Sequence, residues 1–117
     1  MDSLKEVLFR RQLDAYDELM DAIVDYDLTD LSLGRDYILN KLIGVLSVLE
    51  RNFLYLDQDT TAVFDARISK PVKAQTNYID ERGVREFYHA MRHVLMGEVV
   101  PVMKKYFTKR FPELYGE

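Results

Sequence analysis

Apolar residues recur at three- and four-residue spacing along nearly the whole chain, and strand-like alternation never lasts beyond four or five residues. That pattern predicts helices throughout. Leu4, Val7, Leu8, Ala15, Tyr16, Leu19, Ile23 and Tyr26 form a broad stripe on a first helix of about 3–27, opened by Ser3 with Glu6 three residues on as a capping box. The stretch LTDLSLGRD is rich in capping and turn residues and reads as a connector. A second helix of about 35–56 is apolar over most of its circumference, so it is expected at the centre, with Ile38, Leu42, Leu46, Leu49 and Phe53 buried. Asp57 or Asp59 caps a third helix of about 58–68. Ser69-Lys70-Pro71 is expected to end it, because Pro71 has no amide hydrogen and disfavours helical geometry in Lys70. A fourth helix starts near Asp80, kinks near Pro101 and runs to about Lys109. The expected fold is an all-α, single-domain antiparallel bundle of four main helices spanning residues 1–117.

Composition narrows the class of protein. The 117 residues are 48% hydrophobic and 31% charged, with five Gly and three Pro, as in a compact folded chain rather than a disordered one. No cysteine is present, which removes disulfides, thiolate metal sites and cysteine nucleophiles, and fits a reducing compartment. The opening MDSLKEVLFRRQ carries charges inside its first apolar turn, unlike a signal peptide. The most apolar stretch, Tyr37 to Leu49, is too short and too polar to cross a bilayer. A cytoplasmic protein with no membrane partner is expected.

Charge is unevenly distributed. The net charge of −4 opposes general nucleic-acid binding, but residues 1–59 carry 13 acidic and 6 basic groups, a net −7, while residues 60–117 carry 7 acidic and 10 basic, a net +3. Asp14, Asp17, Glu18, Asp21 and Asp25 share an arc of about 100° on the first helix, opposite its apolar stripe. Asp21 and Asp25 lie near the helix C-terminus, and like charges at i, i+4 spacing add to the cost, a small penalty that solubility alone does not require. Lys104, Lys105 and Lys109 are the complementary basic set, in a segment with no acid between Glu98 and Glu113. These eight residues are the candidate interaction surface, meeting within one chain or between two.

The segment RGVREFYHAMRHV, Arg82 to Val94, gathers three arginines, a glutamate and both histidines. On a helix, Arg82, Glu86, His89 and His93 fall on the face away from the apolar side. Arg82 and His89, six residues apart, resemble the Arg-x4–6-His signature of HEPN ribonucleases. That resemblance implies His89 as general acid–base and Arg82 as stabiliser of developing phosphate charge, at a dimer interface. The sequence departs from the pattern at Gly83, where that family usually has a polar residue. Glu86-x-x-His89 is half of a di-iron motif, but it faces outward and has no second copy. Asp25-x-Asp27-x-x-Asp30 departs from an EF-hand loop, and Gly-rich phosphate loops are absent. No metal or cofactor is expected, and the cluster reads as a solvated helix face or a contact surface.

Arg11-Gln12-Leu13-Asp14-Ala15-Tyr16-Asp17-Glu18-Leu19, with Asn52-Phe53-Leu54-Tyr55-Leu56-Asp57 later, resembles patterns in small bacterial helical proteins. That resemblance covers about two-thirds of the chain in outline. It implies a bacterial or phage origin and a small helical bundle, and no activity. The expected function is a non-enzymatic helical interaction module that self-associates or binds a protein partner. The alternative is a HEPN-like ribonuclease using Arg82 and His89.

Overall fold

The computed structural model describes residues 3–112, which are all-α, with the four helical rods the spacing predicts. The chain divides into two compact units, Met1–Leu56 and Asp57–Glu117.

The first unit is a helical hairpin of α1 (Ser3–Asp27) and α2 (Arg35–Arg51). Asp30 accepts from the backbone N–H and the hydroxyl of Ser32, which opens a 3₁₀ turn at Leu31–Leu33. Gly34 then reverses the chain at φ 96°, the one positive-φ residue among those described. A side chain there meets its own backbone, so Gly34→Ala is expected to cost about 1–2 kcal/mol, read as a lowered urea midpoint at unchanged slope. Cross-links between Asp25 and Lys41 and between Glu18 and Arg51 run in opposite order along the two helices, which are therefore antiparallel. Ala15, Tyr16, Leu19, Ile23 and Tyr26 of α1 are buried, as are Ile38, Leu39, Leu42, Val45 and Leu49 of α2.

Two expectations for α2 give way. It stops at Arg51, where the Asn52 amide turns back to the Val48 carbonyl and a 3₁₀ turn, Phe53–Tyr55, follows. Phe53 leaves the helical register and is 54% exposed. Leu46 is only partly buried and Ile43 is exposed, so α2 buries one stripe rather than most of its circumference.

The second unit is also a hairpin, and its two rods share one construction. Asp57 accepts from the Thr60 N–H to start α3 (Gln58–Phe64), which continues through a π-helical segment, Asp65–Ser69, into α4 (Lys70–Gln75). Asp80 accepts from the Gly83 N–H to start α5 (Glu81–Val94), which continues through a second π segment, Leu95–Val99, into α6 (Val100–Arg110). Pro71 therefore does not end the third helix. In an α-helix a proline ring clashes with the carbonyl four residues back. Here that carbonyl belongs to Arg67 for Pro71 and to Gly97 for Pro101, each the middle residue of a π segment. The wider turn relieves the clash, and the residue before each proline donates five residues back, Lys70 to Asp65 and Val100 to Leu95. Phe64, Ile68, Leu95 and Val99 are fully buried around the two segments. Arg67 clamps Glu98 from one π segment to the other with two bonds of 2.9 Å.

Candidate interaction surface

The acidic arc of α1 is largely exposed, but α2 engages part of it. Glu18 accepts from Arg51 at 2.8 Å and from the Asn52 amide at 2.6 Å, and Asp25 accepts from Lys41 at 3.0 Å. Asp14, Asp17 and Asp21 are exposed and have no partner within the first unit. Of the five acids read as interaction residues, Glu18 and Asp25 thus help to hold the hairpin together. The other three present charge to solvent.

The Asn52 amide, with Arg51 beside it, holds Glu18 below the ordinary glutamate range, and the Arg67 guanidinium does the same for Glu98. Both carboxyls bind protons less readily in the folded chain than in the unfolded one. Their stabilisation is present above the unfolded value of about 4.3 and is lost as pH falls through the folded values. Thermal melts are expected to fall off below about pH 4.3, and Glu18→Gln/Glu98→Gln to make that fall shallower. An unchanged slope in the double variant would contradict the assignment.

Lys104, Lys105 and Lys109 are exposed on α6. Phe107 and Phe111 on the same segment are 8% and 2% exposed and belong to the core. Met96 is exposed.

Arg82, Glu86, His89 and His93 lie exposed on α5, while Val84, Tyr88, Met91 and Val94 are buried on its other side. Placement on the outer face is as the spacing predicts. The His89 ring packs edge-on to Tyr88, and neither Arg82 nor His89 makes a hydrogen bond or ion pair among the described residues. Gly83 leaves room for its neighbours. A Cβ there would lie 3.1 Å from the capping carboxylate of Asp80 and 3.2 Å from the Ile79 side chain. No group of three or more His, Asp or Glu that could hold a metal occurs among the described residues. No helix among them is long and apolar enough to cross a membrane.

The feature that periodicity missed is at the start of α1. Residues 3–10 are exposed without exception, including Leu4, Val7, Leu8 and Phe9. The apolar stripe of α1 continues through them, but its buried part begins at Ala15. Arg11 marks the edge of the covered region, its guanidinium 4.8 Å from the centre of the Tyr55 ring. The reason is structural: α1 has 25 residues and α2 only 17, whereas the sequence pattern carries α2 on to about residue 56.

No family model matches the sequence, no curated protein matches it and no solved structure matches its fold.

Proposed function

We propose that the protein is a non-enzymatic helical interaction module that self-associates, with the acidic arc of α1 guiding the contact. One observation carries the reading: Asp14, Asp17 and Asp21 stand together on an exposed helix face that the first unit leaves uncompensated. Clustered like charges are a small cost to the isolated helix, and an opposing basic surface removes it. Lys104, Lys105 and Lys109 are exposed cations of the same chain that supply such a surface. A bacterial or phage cytoplasm is the setting proposed from the absence of cysteine and the resemblance to small bacterial helical proteins. Light scattering on Asp14→Lys/Asp17→Lys/Asp21→Lys tests the reading. The dissociation constant of the dimer is expected to rise at least about tenfold, roughly 1.4 kcal/mol. An unchanged constant would overturn it.

A HEPN-like ribonuclease is the second reading, favoured by the exposure of Arg82 and His89 on one face of α5, where a second subunit could complete a site. Against it stand Gly83, where that family usually has a polar residue, and the lack of any hydrogen bond orienting His89 among the described residues. Purified protein is expected to leave single-stranded and structured RNA uncut, at the level of His89→Ala. Cleavage by the wild type that His89→Ala abolishes would reverse the ranking.

A further inference from the structure

Two exposed helix faces of this chain carry opposite charge at the same spacing. On α1, Asp14, Asp17 and Asp21 stand three and four residues apart, and on α5, Arg82, Arg85 and His89 do the same. Each row covers an arc of about 60° and a length of about 10 Å at 1.5 Å per residue. All six side chains are exposed, and none makes a side-chain hydrogen bond or ion pair among the described residues. Seven residues beyond each row stands an exposed apolar side chain, Leu28 at 75% just past α1 and Met96 at 42% in the second π segment.

The shared spacing names the occupant of each face. With α1 and α5 side by side and parallel, Asp21 and His89 meet on the seam between them. Asp14 and Arg85 fall on one side of the seam and Asp17 and Arg82 on the other. Each of these pairs is about 4.5 Å apart along the axis, a separation that charged side chains on neighbouring turns bridge. Leu28 and Met96 are level at the far end. Glu18 and Glu86 fall on opposite sides of the seam, so acid does not meet acid. The lysines of α6 fit less well, because Lys104 and Lys105 are adjacent and point about 100° apart. Both rows lie open in one chain, so the contact joins two copies.

We infer that α1 of one copy docks parallel on α5 of a second copy, with Asp14, Asp17 and Asp21 facing Arg82, Arg85 and His89. Made in both directions between two copies, the contact closes as a dimer. This rests on the self-association reading and gives its acidic arc a basic partner, the arginine–histidine cluster of α5, in place of the α6 lysines.

Sedimentation velocity on the full chain tests it, with circular dichroism to check that each variant is folded. Asp14→Lys/Asp17→Lys/Asp21→Lys sets base against base, and Arg82→Glu/Arg85→Glu/His89→Glu sets acid against acid. Each alone is expected to weaken the dimer at least about tenfold. Mixed together the two are expected to associate, since every contact then joins opposite charges again. The chain has no cysteine, so cross-linking reads the direction. Asp21→Cys mixed with His89→Cys is expected to form an inter-chain disulfide under mild oxidation, and Asp21→Cys mixed with Arg82→Cys is not. Cross-linking of the second pair alone would overturn the parallel contact. A wild-type dimer that the α5 reversal leaves unchanged would overturn this interface. So would rescue of the α1 reversal by Lys104→Glu/Lys105→Glu/Lys109→Glu and not by the α5 reversal. Each of these results leaves self-association standing. A wild-type monomer at every concentration would overturn both.

Discussion

Phe64→Ala is expected to remove about 3–5 kcal/mol of stability, the largest loss from any single truncation proposed here. Phe64 is fully buried at the last position of α3, directly before the first π segment. One turn on, Ile68 is fully buried inside that segment, and α3 packs against the second π segment, where Leu95 and Val99 are equally buried. Removing the ring loses its burial and leaves a cavity. The surrounding chain is poorly placed to collapse into it, because both rods there have an irregular turn held by Lys70 and Val100 donating five residues back and by the Arg67–Glu98 clamp. A loss of this size is a large part of the 5–15 kcal/mol that holds an ordinary domain together. Urea melts of the variant measure it. A loss below about 1 kcal/mol would mean that the junction of α3 with the π segments is not a packed core. Phe53→Ala, at a half-exposed ring, is the contrast and is expected to stay within about 0.5 kcal/mol of wild type.

Those two phenylalanines show where the sequence was legible. The 3.6-residue period placed all four rods and the inward and outward faces of α5 because amphipathic burial is a local signal, repeated every turn. Asp57, one of the two caps offered for the third helix, and Asp80 stand at the helix starts, since an N-cap acts within three residues of itself. Phe53 misled because the end of α2 depends on Asn52, whose amide donates both to Val48 within α2 and to Glu18 on α1. That second bond spans 34 positions, and periodicity carries no trace of it. Pro71 misled for another reason. The rule that proline ends a helix assumes α geometry at the preceding turn, and a π segment withdraws that assumption. The two prolines stand in matching surroundings, so Pro101, read as a kink to be passed through, was the better guide to Pro71. At the candidate surface, the acidic residues were legible as a group, but which of them are engaged by Lys41, Arg51 and Asn52 required the hairpin to be assembled.

Salt is expected to weaken the dimer more than any single surface substitution. Each ion pair across an exposed contact contributes under about 1 kcal/mol. Three or four pairs at about half that value sum to roughly tenfold or more in the dissociation constant. The Debye length falls from about 10 Å at 0.1 M to about 3 Å at 1 M, so raising ionic strength across that range removes most of this contribution.

Sedimentation equilibrium of the wild-type chain, run across protein concentration at low and at high salt, bears most directly on the proposal that this protein works by associating with itself. The expected result is a reversible monomer–dimer equilibrium whose dissociation constant rises with ionic strength. A single species of monomer mass at every concentration and both salts would contradict it.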